Sequence, residues 1–403
     1  MDVSLSWELI KAQLPPIWRD LADELGVVRP QPPGRNAKIT DIEQLLRLEF
    51  HRVGLGASLK QSTAEAAAAG LVELSSVSLH KWECKLGPYL ARLLAAMITP
   101  DPAWARAHWH GFEVVLADGT TVQHPGAKGT TARVVYGMRL ADMTFVHVEL
   151  MDEHGGETLR SFEAHRGQVW VVDRNFTNPP GIASIKDQGA DVVGRYNRGT
   201  MRLFDTRKRP FDALAHVRQL RRPGAMREWK ICTYNEGERI RGRLCAVRLP
   251  DDKAEEARAR MRREYGKSVT ADMLESAAWL MVFTTVARRK LTTKQTLELY
   301  RMRWQIELEI KRDKSIGDLD KLPNFLPETI QTYLSLKLIL QQIERQLVSG
   351  KVVVPPSAVA AGISAEHPGE AAQAEGARSH RSLARAHARP QRHASRSDAP
   401  AAA

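Results

Sequence analysis

The chain is poor in cysteine. Cys84, Cys232 and Cys245 lie far apart and form no C-x-x-C pair. That excludes a disulfide framework and a cysteine-built structural zinc site, and it suits a reducing cytoplasm. No apolar run is long enough to cross a bilayer. Asp2 and Glu8 interrupt the stretch where a signal peptide would need an apolar core, so none is expected. There is no G-x-x-x-x-G-K-[ST] phosphate loop, no H-E-x-x-H and no G-x-S-x-G, which removes three large enzyme classes. His108-x-His110 has no third ligand in view. Acid is in deficit: 59 Lys and Arg face 47 Asp and Glu, for a formal charge of +12. Such a balance favours a polyanionic partner, most often nucleic acid. Apolar residues still make up 43% of 403 positions, enough for two or three domains with cores of their own.

The richest stretch runs from Tyr300 to Lys314. Thr292 and Gln295 form a capping box that starts it, no proline follows, and Gly317 can stop it. It reads as one helix. At about 100° per residue, Tyr300, Arg303, Glu307 and Lys314 fall in an arc roughly 60° wide. A carboxylate between two cations suits a metal-bound phosphate, with Glu307 on the ion and Arg303 and Lys314 on the polyanion. The plainer alternative is an amphipathic helix with solvated charges.

The spacing Tyr-x2-Arg-x3-Glu-x6-Lys resembles the signature of one branch of bacterial DDE transposases, insertion sequence family four. All four residues match it. The resemblance implies two further acids ahead of Glu307, and the rest of the chain offers them.

Residues 1–100 read as all helical. A helical stretch from Trp7 to Leu25 breaks near Pro15-Pro16, and a linker covers Pro30 to Gly34. Helices follow at Asp41–His51, Ser58–Ala69 with Ser58 as N-cap, and Ser76–Met97. A turn near Gly70 leaves two readings open, a helix-turn-helix or a plain bundle. The resemblance implies that this region binds the ends of the element.

From Phe112 the period changes. Short strands are expected at Glu113–Ala117, Arg133–Leu140, Thr144–Leu150, Val169–Val172 and Asp191–Tyr196, with helices at Gly156–His165 and Gly181–Gln188. Three strands, helix, strand, helix, strand is the order of a ribonuclease H-like α/β fold, in a first part spanning 108–198. Asp118 follows the first strand and Asp173 the fourth, where an open α/β sheet places ligands. Either acid alone can equally be a turn or cap residue. Asp118-Gly-Thr-Thr and Asp173-Arg174 resemble the family's two acidic blocks, so the resemblance implies a triad of Asp118, Asp173 and Glu307. Glu157, after two glycines, resembles a supporting acid.

Residues 199–285 look like a mostly β insertion, with strands at Glu228–Tyr234, Arg239–Leu249 and Ala278–Thr285 around a charged helix, Lys253–Tyr265. Trp279 matches in spacing a tryptophan that in some relatives stacks on a flipped base; a core tryptophan is the alternative. Residues 286–350 complete the core and add a long helix, Pro327–Val348. From 355 the chain is rich in Ala, Arg, His, Ser and Pro, with six Arg against three Glu and one Asp. It is expected to be a disordered tail that does not create the basic character. Its composition resembles the misread end of a high-GC gene.

Taken together, the resemblance implies a transposase that cuts and joins the ends of an insertion sequence. The three carboxylates hold Mg²⁺, with Mn²⁺ as substitute, as ligands for two-ion phosphoryl transfer. DNA contacts are implied for Tyr300, Arg303, Lys314, Trp279 and Arg174. Double-stranded DNA, as terminal inverted repeats and target, is the implied partner, bound by a homodimer in the bacterial cytoplasm. Two alternatives remain: another ribonuclease H-like DNA nuclease, and a domesticated or decayed relative that binds DNA without cutting.

Overall fold

The computed structural model describes residues 3–28, 38–98, 109–156, 158–322 and 327–349. The expected linker at Pro30 to Gly34, Glu157, His108 and the low-complexity tail lie outside the described residues.

Five helices come first: α1 (Val3–Lys11), α2 (Trp18–Glu24), α3 (Ile42–Leu55), α4 (Leu59–Ala68) and α5 (Ser76–Met97). Short polar side chains start them. Asp41 accepts the Glu43 N–H, Ser58 that of Gln61, and Ser75 that of Ser78. Gly56 ends α3 and Gly70 turns the chain between α4 and α5, both at positive φ. α5 packs on the last helix, α12 (Pro327–Ser349), and Leu79, Leu86, Leu90, Leu334 and Ile339 of the two helices belong to one buried cluster. A buried ionic group ties the same helices. Arg52 of α3 donates from Nε to Glu49 at 2.9 Å and pairs with Glu83 of α5. Thr332 of α12 donates to the Glu83 carbonyl at 2.7 Å. Among the described residues no helix is long and apolar enough to cross a membrane.

The described strands are β1 (Glu113–Val122), β2 (Ala132–Arg139), β3 (Phe145–Asp152), β4 (Gln168–Val172), β5 (Asp191–Arg195), β6 (Met226–Asn235), β7 (Glu238–Arg248) and β8 (Trp279–Thr284). They form one mixed sheet in the order β3-β2-β1-β4-β5-β8-β7-β6. Only β1-β4 and β4-β5 pair in parallel. α6 (Pro179–Asp187) makes the crossover from β4 to β5, capped by Asn178 and opened by two prolines. Alternation along the central strands divides the core. Leu116, Val171 and Val193 join the cluster that includes α10 (Thr293–Arg301) and α11 (Trp304–Ser315), whereas Val115, Trp170 and Val192 join Ile182 and Ile185 of α6. α7 (Ala213–Val217), α8 (Asp251–Tyr265) and α9 (Ala271–Ser276) lie in the chain between β5 and β8, whose strands extend the central sheet.

Three expectations need correction. β1 does not end at Ala117: β4 stops pairing there, but β2 supplies ladder partners as far as Val122, so Asp118 lies within a strand. Gly156–His165 is not a helix. Among the described residues of that span only a 3₁₀ turn forms, at Leu159–Ser161, because Leu159 is buried beside α6 and Phe162 is tilted against Trp170 and Phe176. The helix read through Tyr300 to Lys314 is two helices, α10 and α11. Between them Met302, Arg303, Gln305 and Ile306 donate three residues back instead of four.

Candidate active site

Register brings the first two acids together. Ala117, Val172 and Gly194 are matched across β1, β4 and β5. The next residues along the three strands are Asp118, Asp173 and Arg195. Ala117 and Val172 point to the α6 side, so alternation turns Asp118 and Arg195 to the α10–α11 side. Asp173 lies just past its strand. Its Oδ1 accepts the N–H groups of Asn175 at 2.7 Å and Phe176 at 3.1 Å, which fixes the turn into α6.

The third acid arrives on α11. The capping box at Thr292 and Gln295 starts α10 as expected, and Tyr300 is buried near its end. Arg303 follows the tight turn and reaches two acids at once. Its Nη1 donates to Asp118 Oδ2 at 2.9 Å, and its Nη2 contacts Glu307 Oε1. Further along, Lys314 donates to the Thr121 carbonyl at 3.0 Å, laying α11 along β1. The Gly119 N–H donates to the other oxygen of Asp118 at 2.9 Å.

The electrostatics show what the cluster lacks. Burial pushes the Asp118 carboxyl up to about 7, against the pull of Arg303 and the Gly119 N–H; Asp173 and Glu307 push it further the same way. Burial also raises the Tyr300 phenol, against the pull of Arg303 and Arg195. The Arg195 guanidinium is lowered by burial and by the neighbouring Arg174, Arg260 and Arg303, against Tyr300. Burial thus works against charge on both Asp118 and Arg195, and Arg303 is the cation common to their surroundings.

The remaining expected residues are placed as follows. Arg174 contacts the Tyr265 hydroxyl, with its guanidinium 5.8 Å from that ring, and stands 3.8 Å from Glu264. Trp279 is buried among Leu214, Val217 and Leu220, and its indole N–H donates to the Leu220 carbonyl at 3.1 Å. Stacking on a base would require it to leave that cluster. Asp152 caps its own turn, Glu309 pairs with Arg312 and Asp313 with Arg345, which accounts for those acids structurally. Arg195 was not foreseen. A lone cation ending the run Asp-Val-Val-Gly is its signal, but only the folded chain shows that Tyr300, Arg174 and Arg303 surround it.

Residues 109–339 match the family model described as Transposase DDE domain. The chain belongs to that family. It is a DDE transposase of the bacterial insertion-sequence kind, an enzyme acting on DNA. The putative transposase InsL for insertion sequence element IS186A of Escherichia coli (strain K12) is 29% identical over 331 residues, 80% of this chain and 89% of that protein. The transposase for insertion sequence element IS421 of Escherichia coli is 29% identical over 332 residues, with the same shares. Among solved structures, the piggyBac transposase synaptic complex with hairpin DNA aligns at a TM-score of 0.41 and 9% identity over 90% of this chain and 79% of that chain. That likeness is too loose to place any residue.

Membership in the family implies dependence on a divalent metal. The donor chemistry fits. Asp118, Asp173 and Glu307 offer only carboxylate oxygens, the choice of hard divalent ions, and Arg303 is the cation that now pairs with Asp118 and Glu307. Among the described residues no three acidic, histidine or cysteine side chains stand at ligand spacing around one point. Arg303 fills the place between Asp118 and Glu307.

Proposed function

We propose that Asp118, Asp173 and Glu307 form the catalytic triad of this transposase and hold Mg²⁺, with Mn²⁺ as substitute, for strand cleavage and transfer at the ends of an insertion sequence. Three features support the reading. Asp118 and Asp173 follow matched residues on neighbouring parallel strands; Arg303 joins Asp118 to Glu307; and the family model spans all three acids. The observation that carries it is the Asp118–Arg303–Glu307 contact, which brings the third acid to the first across a sequence separation that nothing local dictates.

Bound divalent ions supply Lewis-acid activation of the attacking oxygen and charge relief for the leaving oxygen. The chain's own residues then bind and orient. Asp118 lies within β1, and Asp173 is held at the turn after β4 by the Asn175 and Phe176 N–H groups, so the backbone that carries both acids is fixed by the fold. Arg303, Lys314 and Arg174 would hold backbone phosphates on either side of the cut, and Tyr300 would pack beside them. Water attacks the phosphorus at the element's end, the bond to the 3′-oxygen breaks, and a 3′-hydroxyl is freed. That hydroxyl next attacks either the opposite strand, giving a hairpin, or target DNA. No side chain becomes covalently attached, and Tyr300 is no nucleophile.

The larger organisation follows the same reading. Strands β1 to β5 with α6 form a ribonuclease H-like core over 108–198, supported by three antiparallel strands followed by two parallel ones. Residues 199–285 form a β-rich insertion, 286–350 return the third acid, and 1–100 bind the terminal inverted repeats. The working unit is a homodimer on two paired ends. Trp279 is assigned base stacking only if it leaves its cluster. The test uses purified protein, labelled duplex carrying the inverted repeats that flank its gene, and Mg²⁺ or Mn²⁺. A nick at the repeat boundary, lost in Glu307→Gln, is expected. Cutting by Glu307→Gln would overturn the triad, and binding without any cut would favour a decayed, DNA-binding protein.

A further inference from the structure

Arg303 stands where a cation is wanted, and it is not fully satisfied there. One guanidinium nitrogen is committed to Asp118 and a second to Glu307. Its Nε is buried and, among the described residues, has no hydrogen-bond partner. A buried donor left unmade is costly, so this posture is not the one in which the side chain makes its full set of bonds. A phosphate could take Nε and one Nη together as a bidentate acceptor. Arg195 turns to the same face, so an incoming phosphate meets more than one guanidinium.

We propose that Arg303 is a resident counter-ion which blocks metal loading at Asp118 and Glu307 until a DNA phosphate draws it away. The two acids cannot give the same oxygens to Arg303 and to a divalent ion. Without DNA, Arg303 lowers the net charge of the pair and occupies the space between them. With DNA, the guanidinium exchanges two carboxylates for a phosphate, and the acids regain the charge that a divalent ion requires. The protein is then not ready to cut until the backbone it will cut lies beside the carboxylates. The proposal rests on the reading of Asp118, Asp173 and Glu307 as the metal site, and the test separates the two.

The test reads metal binding, not activity. Mn²⁺ is titrated into the full-length protein and free Mn²⁺ is followed by electron paramagnetic resonance. Each titration is run alone and with duplex carrying the flanking inverted repeat, after subtraction of the duplex's own uptake. Without DNA, Arg303→Gln is expected to bind Mn²⁺ about tenfold more tightly than wild type, the scale of one charge-assisted hydrogen bond. DNA should tighten Mn²⁺ binding in wild type, and by a clearly smaller factor in Arg303→Gln. Coupling is reciprocal, so Mn²⁺ should tighten DNA binding by the same factors. Should Arg303→Gln fail to fold, Arg303→Lys serves, because one ammonium cannot span both acids and DNA-free affinity should rise less steeply. Asp118→Asn locates the ion. If Mn²⁺ binding vanishes in Asp118→Asn yet the arginine variants match wild type without DNA, the metal site stands and the counter-ion role falls. If Asp118→Asn binds Mn²⁺ as wild type does, or no variant binds it, both fall.

Discussion

Charge decides most of what single residues do here. Asp118, Asp173 and Glu307 are each expected to lose at least about a hundredfold in cleavage when changed to the amide, the scale of removing one preorganised charge-stabilising group. Duplex binding, measured by gel shift on the same preparations, should stay near wild type. Retained metal-dependent cutting by any of the three would remove that residue from the triad. Lys314 has a different part. It donates to the Thr121 carbonyl, which fastens α11 to β1, and it is also the cation proposed above for a backbone phosphate. Lys314→Ala should weaken binding to all duplexes alike and reduce the slope of log affinity against log salt by about one. An unchanged slope would leave Lys314 as a tether alone.

At the scale of elements, the site depends on how closely β5 approaches the turn after β4. Gly194 is matched to Val172, and a Cβ there would meet the side chains of Thr177 and Val172. Thr177 in turn donates to the Asp173 carbonyl at 2.6 Å. Gly194→Ala should therefore cost about 1–3 kcal/mol in urea unfolding, as overpacking does, and lower cleavage beyond what the stability loss explains, because the turn holding Asp173 must move. Unaltered cleavage in the variant would show that the turn absorbs the methyl. Many elements were legible from local chemistry. Ser58 and the Thr292–Gln295 box announce helix starts, and α5 spans the expected Ser76–Met97. What was hidden depends on partners distant in sequence. β1 runs past Asp118 because β2 continues beside it, and Phe162 leaves the helical path because Trp170 and Phe176 bury it. Asp118, Asp173 and Glu307 could be picked out by resemblance, but the place of Arg195 on their side of the sheet could not, because strand register is not written in any one strand.

At the scale of the whole described body, α12 joins the N-terminal helices to the sheet. It packs on α5, while its Arg345 lies 4.4 Å from the Phe145 ring of β3 and pairs with Asp313 of α11. Beneath it sit two buried acids, Glu49 and Glu83, with Arg52 as their shared cation and His80 Nδ1 3.6 Å from Glu83. One cation for two buried acids leaves an excess negative charge. Burial raises the Glu49 carboxyl from 4.5 to about 7, against Arg52, and Glu83 adds to the rise; Glu83 is raised mainly by its own burial. The folded chain then holds a proton that the unfolded chain releases above about 4.5. Stability from this group is full below that pH and is lost as pH rises through about 7. Unfolding by urea across this window should show the decline, and Glu49→Gln should flatten it; an unchanged profile would place the proton elsewhere. The return of β8 to β5 has a further consequence. Arg195 and Val282 are paired across the sheet, so the long excursion between them starts and ends at nearly the same place. For the geometry of the acids that excursion has almost no span. Segments can be gained or lost within it over evolutionary time, altering what the enzyme touches, while Asp173 and Glu307 keep their distance.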